Sequence, residues 1–436
     1  MQIAPALEEA EPGQPFGAQA GRAPAALDRW AIAATVAGNA LEFYDFLAYT
    51  TFAVYIGRAF FPARTEFASL LLSLATFGVG FVTRPLGGFL IGSYADRAGR
   101  RPALMLTIGL MAFGTLAVAA TPSYSVIGVA APVILVAARL IQGLALGGEV
   151  GPSTAVLLEC APPGWRGAYV SWQAASQGVA ILAAGLIGAA LAAILDKEQL
   201  ATWGWRIPFA LGLVIVPVGL YIRRRLPETL LAAGPRRGGP VLQVILRRHR
   251  RSLVLGILII MCLTISTYVG NYMTTYALTT LGLPASQAML ATMVQGAIIA
   301  GLAFWGGRLS DRFGRKPVMV ISRVAVILVI YPAFLFLATV KTTWALLSVQ
   351  ALLTVLGIGS VAALAALTEI FPNEVRSSGL AICYAVSVSV FGGTTQFVIA
   401  WLIGTTGDPL SPAYYVIATS LISLWAMLRL PETFKS

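Results

Sequence analysis

The chain has 436 residues, 58% of them hydrophobic and only 11% charged, with a mean hydropathy of +0.80. So few charges cannot present an ordinary polar surface to water, which argues against a soluble protein with many buried helices. The formal charge of +12 would suggest a nucleic-acid partner in a soluble protein, but its placement along the chain gives it another meaning.

Residues 1–27 are rich in Ala, Gly and Pro, carry Glu8, Glu9 and Glu11, and lack a basic run before an apolar one. They read as a disordered tail, not a cleavable signal peptide. Twelve apolar segments follow, at about 30–57, 67–93, 103–121, 128–159, 169–194, 207–222, 253–281, 287–306, 317–339, 343–369, 378–404 and 412–429. Most reach the ~20 residues that a helical membrane span needs, and the longer ones predict tilts or kinks. Numbering spans from a cytoplasmic N-terminus puts 22 of the 30 Lys and Arg residues on the cytoplasmic side. Five lie on the other side (Arg58, Arg64, Lys197, Arg206, Lys341) and three within spans (Arg84, Arg139, Arg323). That asymmetry is a topology signal, and it predicts both termini in the cytoplasm.

Ionisable groups inside spans are costly and therefore candidates for function. Span 1 carries Asn39, Glu42, Asp45 and Tyr49, spaced 3, 3 and 4, which stacks them on one helical face. Such a stripe must face a water-filled cavity or another helix. A carboxylate there is desolvated and can exchange a proton as the cavity opens to each side, so Asp45 and Glu42 are candidate proton-coupling groups. In span 2, Arg84 opens the run RPLGG about 18 Å from the span's end at ~1.5 Å per residue. Pro85 predicts a local bend, and the guanidinium suits bidentate recognition of a carboxylate or phosphate. In span 4, Arg139, Gln142 and Gly143 share a face, with Glu149 about three turns below as a third proton-coupling candidate. Arg139 can hold a carboxylate ionised or take part in substrate binding; the plainer reading is a permanent structural ion pair. Span 5 adds Gln173, Ser176 and Gln177. Span 7 adds Tyr268, Asn271, Tyr272 and Thr275, and span 11 Tyr384, Ser387 and Gln396. Asn39, Gln173, Gln177, Tyr268, Asn271 and Tyr272 are the polar substrate-binding candidates, with packing as the plainer alternative. Arg323 lies only ~10 Å from its span's cytoplasmic end, so snorkelling to the interface accounts for it.

Several motifs occur twice. GSYADRAGRR from Gly92 matches GRLSDRFGRK from Gly307, and the pair Glu159 and Arg166 matches Glu369 and Arg376. Leu226-Pro227-Glu228-Thr229 matches Leu430-Pro431-Glu432-Thr433. The offsets of 215, 210 and 204 residues predict two six-span repeats in the same orientation. The expected organisation is a tail (1–29), an N-terminal bundle (30–222), a flexible basic linker with nine arginines (223–252), a C-terminal bundle (253–430) and a short tail (431–436). Asp96, Arg100, Glu159 and Arg166, with Asp311, Arg315, Glu369 and Arg376, are latch candidates. Paired acids and bases at helix ends can bond across the halves in one conformation and release in the other. The plainer reading is snorkelling end caps. Three cysteines without a CxxC pair, and a lone His249 in the basic linker, suggest no disulfide, metal site or cofactor. No nucleophile constellation points to an enzyme.

These doubled motifs resemble the major facilitator superfamily over nearly the whole chain. The resemblance implies an all-α membrane protein with twelve transmembrane helices that rocks one half against the other. It also implies that spans 1 and 4 pack together, which makes Asp45 the first-choice partner of Arg139. GNALEFYDF at 38–46, RPLGG at 84–88 and GWRIPF at 204–209 are similar to the metabolite:proton symporter family. FFPARTEFASLLL from Phe60, SWQAASQGVAI from Ser171 and FGG at 391–393 resemble the bacterial citrate–proton symporters. What this implies is uptake of a tri- or dicarboxylate such as citrate or tricarballylate, driven by protons without a cofactor, in a bacterial inner membrane. The partners would be the organic anion, protons and lipid, with no nucleic acid, and the chain would be a monomer. Matching motifs imply roles for Glu42, Asp45, Arg84 and Glu149. Span 7 departs from the citrate pattern at Tyr268, Val269, Gly270 and Asn271, which leaves α-ketoglutarate, betaine or proline as alternatives. Proton-linked efflux or exchange is the other alternative within transport. A sensor on the same scaffold would need a signalling domain for which the tails and the central loop leave no room.

Overall fold

The long apolar runs fold as helices because a backbone in hydrocarbon must satisfy its own hydrogen bonds. A computed structural model describes residues 29–98, 100–147, 157, 161–162, 164–224, 247–372 and 375–432, and among them every regular element is helical. The first part comprises α1 (Arg29–Thr51), α2 (Ala53–Phe60), α3 (Glu66–Val82), α4 (Arg84–Ala98), α5 (Arg100–Ala120), α6 (Ala130–Leu146), α7 (Arg166–Val170), α8 (Trp172–Ile194) and α9 (Ile207–Arg224). The second comprises α10 (Arg250–Thr279), α11 (Ala285–Phe313), α12 (Arg315–Val340), α13 (Thr343–Gly357), α14 (Ala362–Ile370), α15 (Arg376–Ser387), α16 (Gly393–Thr406) and α17 (Ser411–Arg429). Short helices at Tyr124–Ile127 and Lys197–Thr202 fill connections.

Eight of the described helices are long and apolar enough to cross a membrane: Glu66–Ile91, Arg166–Ile194, Arg250–Thr279, Ala285–Phe313, Arg315–Val340, Thr343–Ile370, Ser378–Thr406 and Ser411–Arg429. The polar stripe in α1 keeps that 23-residue helix outside this set. Local chemistry sets the helix ends. Thr65 and Thr342 accept the Ala68 and Ala345 amides and so cap α3 and α13. Two residues before Pro85, at Thr83, one span divides into α3 and α4, and the Thr83 hydroxyl donates to the Leu140 carbonyl at 2.8 Å. Two other spans also deform: Ile358–Val361 tightens to a 3₁₀ turn and Val388–Gly392 widens to a π turn.

Two groups of helices form, with α1, α3, α5, α6, α8 and α9 in one and α10 to α17 in the other. The broadest seam between them is α8 along α11, with α3 against α16 as a second. Small residues permit the first. A Cβ on Gly296 would collide with the Leu182 backbone and the Gly178 carbonyl, so the helices meet backbone to backbone. Gly296→Ala is therefore expected to lower the thermal unfolding midpoint, at a cost of about 1–3 kcal/mol for overpacking. Gly301→Ala, where a Cβ meets no atom within 4 Å, should leave it unchanged or raise it. Equal midpoints for the two variants would refute the close-packed seam.

Candidate functional site

Within α1, Asp45 turns into the N-terminal group of helices and is only 4% exposed. One carboxylate oxygen accepts from the Thr115 hydroxyl of α5 at 2.9 Å. The other accepts from Gln142 Nε2 at 2.8 Å and from an Arg139 guanidinium nitrogen at 3.2 Å, both from α6. Arg139 is fully buried and lies 3.9 Å over the Tyr49 ring, which faces it with its negative π surface. Its Nε and second terminal nitrogen have no partner. The carboxylate is thus saturated while the guanidinium is not. Losing the negative charge on Asp45 would leave Arg139 held by neutral groups alone. Such a pair responds strongly to the arrival of a proton.

Arg84 starts α4 one residue beyond the break at Thr83, which directs it into the seam between the two groups of helices. It is buried, 3.9 Å over the Phe81 ring and 4.7 Å over Phe46, with the Tyr268 hydroxyl of α10 beside it and Tyr384 of α15 nearby. Tyr268 packs edge-on against Phe81 at 5.7 Å. Gly392 makes room for that ring, since a Cβ there would press on it. Arg84 therefore touches residues from both halves, and its Nε has no partner.

A cavity of about 170 Å³ lies between the halves. Phe43, Phe46 and Gln177 face it from the first half, and Tyr268, Asn271 and Tyr384 from the second. Of the predicted binding residues, Gln177, Tyr268 and Asn271 line it. Arg84 sits behind its wall of Phe46 and Tyr268, and Asp45 and Arg139 lie deeper in the first half. Asn39 and Gln173 do not face it. The Asn39 amide nitrogen donates to the Ser176 hydroxyl at 2.6 Å, and Gln173 donates to the Asn39 amide oxygen at 2.8 Å, tying α1 to α8. Tyr272 is buried among apolar neighbours in the second half. Gln295, Gln350, Ser266 and Ser360 line the cavity without having been singled out in the sequence. Gln295 and Ser360 are isolated polar residues in apolar runs, and only that isolation could have marked them; Ser266, between Thr264 and Thr267, and Gln350, close to Ser348, carry no such signal. Glu149 lies outside the described residues, as does the side chain of Glu42.

Arg323 corrects the snorkelling expectation. It is fully buried, and it donates to the Ser266, Ser360 and Ser420 hydroxyls at 2.9, 2.9 and 3.4 Å. Three inward hydroxyls hold the guanidinium more readily than a stretched side chain reaches the interface.

At the end of the molecule carrying the basic loops, Asp311 and Arg315 form an ion pair at 2.6 Å, and Arg315 also pairs with Glu369 at 3.1 Å. All three belong to the second half. Of these three, Asp311 reaches the first half: its carboxylate accepts the backbone amides of Gly167 and Ala168 at 2.8 and 2.9 Å, beside Arg308, which donates to the Gly164 carbonyl at 2.8 Å. These amides open α7, where a negative charge is favoured. Arg166 is exposed at the start of the same helix. Glu159 and the side chains of Asp96, Arg100 and Arg376 lie outside the described residues. Glu432 has a role that the repeat alone did not show. It accepts from the Arg315 and Lys316 amides at 3.1 and 3.0 Å and so caps α12.

The Major Facilitator Superfamily model matches residues 35–382 and 260–436. The chain is 38% identical over 403 residues to the citrate-proton symporter of Klebsiella pneumoniae, covering 91% of this chain and 90% of that one. It is 34% identical over 415 residues to the alpha-ketoglutarate permease of Escherichia coli, covering 92% and 93%. In fold it is similar to a partially occluded, inward-open structure of a xylose transporter from E. coli, with a TM-score of 0.73 at 20% identity, covering 93% of this chain and 98% of that one.

Proposed function

This chain belongs to the Major Facilitator Superfamily, in its metabolite:proton symporter family close to the citrate symporters, and on that premise we propose that it imports an organic anion together with protons by alternating access. The substrate class is a tri- or dicarboxylate such as citrate or tricarballylate. The chain crosses a bacterial inner membrane twelve times with both ends in the cytoplasm. Its bundles span 30–222 and 253–430, joined by the basic linker 223–252. It works as a monomer, without a cofactor and with no enzymatic step.

The buried Asp45–Arg139 pair carries this reading. In the proposed cycle a proton reaches Asp45 and breaks the pair. The freed charge of Arg139 is stabilised by Tyr49 and the approaching anion. Arg84, between Phe46, Phe81 and Tyr268, draws a substrate carboxylate to the seam, where both halves can close on it. Gln177, Asn271 and Tyr384 supply neutral hydrogen bonds around the rest of the ligand. Glu42 and Glu149 are further proton-coupling candidates, and the eight latch residues set which face is closed. The similarity to the alpha-ketoglutarate permease supports a dicarboxylate as the second reading.

The test is uptake by the purified protein in liposomes with an acidified exterior, offering labelled citrate, tricarballylate, α-ketoglutarate and betaine in parallel. Accumulation of a tri- or dicarboxylate above equilibrium, lost when the proton gradient is collapsed, is the expected result. Betaine accumulation in place of the acids would keep symport and remove Arg84 from the carboxylate role. Accumulation that requires the opposite gradient would make the chain an efflux or exchange carrier.

A further inference from the structure

Two arginines among the described residues have no exposed surface, and they are treated differently. Arg139 has Asp45. Arg323 forms no ion pair among the described residues and has only serine hydroxyls for partners, with its Nε buried and unbonded. The sequence explains why. Residues 253–430 contain four acids: Asp311, Glu369, Glu374 and Asp408. Asp311 and Glu369 are engaged by Arg315 at the end of the bundle. Asp408 accepts the Leu410 amide in the turn before α17. Glu374 lies outside the described residues, in the α14–α15 connection. Asp311 and Glu369 lie at the last turns of their helices and pair with Arg315, so among the described residues Arg323 holds its charge without a counter-ion from its own bundle. A lone buried cation solvated by neutral hydroxyls is costly to maintain.

Its position gives that cost a use. Ser266 accepts from one terminal guanidinium nitrogen and Ser360 from the other, and both serines line the cavity between the halves. Each nitrogen of the fork is therefore one hydroxyl away from the cavity. Ser360 lies on the 3₁₀ turn Ile358–Val361, where the regular helix is interrupted. Val326, one turn along from Arg323, is part of the same wall. Nearby, the Asn271 and Gln295 amide oxygens are buried without a donor. They could accept from a substrate hydroxyl or a protonated carboxyl.

We propose that Arg323 is an anion subsite of the second half, taking one carboxylate of a polycarboxylate substrate as that carboxylate displaces Ser266 and Ser360 from the guanidinium fork. This rests on the organic-anion reading above and sharpens it. Arg84 and Arg323 approach the cavity from opposite halves, so a ligand with two or more carboxylates can bind both and draw them together. A monocarboxylate or a zwitterion can satisfy only one. Planar, bidentate geometry is what an arginine offers and a lysine does not.

The test is calorimetric binding of tricarballylate, glutarate and betaine to the purified full chain, with unliganded thermal midpoints measured alongside. Arg323→Gln should weaken tricarballylate roughly ten- to a hundredfold, the size of one charge-assisted contact. It should leave the unliganded midpoint unchanged or raised. Arg323→Lys should fall between the two, and Ser266→Ala with Ser360→Ala should retain or tighten binding by freeing the fork. Unchanged affinity in Arg323→Gln would overturn the proposal, as would wild-type protein that binds no carboxylate. If Arg323→Gln does not fold, the lysine and serine variants decide: lysine binding as tightly as arginine also overturns it. Binding and transport separate the two readings. Arg323-dependent binding without proton-driven accumulation keeps the subsite and loses symport, whereas accumulation indifferent to Arg323 loses the subsite alone.

Discussion

Asp45→Asn is expected to abolish proton-driven accumulation and to destabilise the protein at the same time. Asparagine can still accept from Thr115 or Gln142, so the shape of the nest survives, but it cannot carry the proton that the carboxylate would exchange. It also leaves Arg139, with no exposed surface, facing only neutral groups. Breaking a buried pair from one side costs about 3–5 kcal/mol. Accumulation of labelled tricarboxylate in liposomes should fall to the level of empty vesicles, and the thermal midpoint should drop. The double variant Asp45→Asn with Arg139→Leu separates the two effects, because removing both charges removes the uncompensated one. It should recover most of the midpoint and none of the accumulation. Recovery of both would make the pair a structural tie, and accumulation by Asp45→Asn alone would assign the coupling proton to another acid.

Asp311→Ala should open the cavity toward the end of the molecule that carries the basic loops. The Asp311 carboxylate is the charged group that accepts amides across the seam, from Gly167 and Ala168. Hydrogen bonds to a charged acceptor contribute about 1.5–3 kcal/mol each. Losing two of them should shift the ratio of open to closed forms at that end by roughly a hundredfold or more. Arg315 retains Glu369, so the fold of the second half should persist. The measurement is the rate at which an impermeant thiol reagent labels Gln295→Cys, a cavity position, in a background lacking Cys160, Cys262 and Cys383. Labelling from the basic-loop side should accelerate, with Asp311→Asn intermediate because its amide oxygen still accepts one amide. An unchanged rate would show that the closure depends on the α8–α11 seam instead.

The two sites differ in how far the sequence announced them. The Asp45–Arg139 pair was readable because charges are rare in apolar spans, and the packing of spans 1 and 4 left few partners to choose from. Asp311, Arg315 and Glu369 were readable as a set because their motifs are duplicated. The sequence did not show that their ion pairs stay within one half, or that the crossing bonds end on backbone amides, since an amide has no letter in the sequence. Glu432 as the cap of α12 was hidden for a similar reason: 117 residues separate it from the Arg315 amide it holds. Asn39 and Gln173 carry the polar pattern of substrate-binding candidates, with packing as the plainer alternative, and in the fold they bond each other and do not line the cavity.

From the sequence alone came the apolar spans, the duplicated halves and the list of costly buried charges. Each of these is a local property: a run long enough to satisfy its backbone in hydrocarbon, a motif that repeats, a charge that needs a reason. The tertiary structure alone decided which way each helix is turned. A helix in water is oriented by its apolar stripe, but in a membrane the lipid face and the packed face are both apolar, so composition does not specify the rotation. Rotation is what placed Gln177 and Asn271 on the cavity and Tyr272 among apolar neighbours, and what turned Arg323 inward onto three serines.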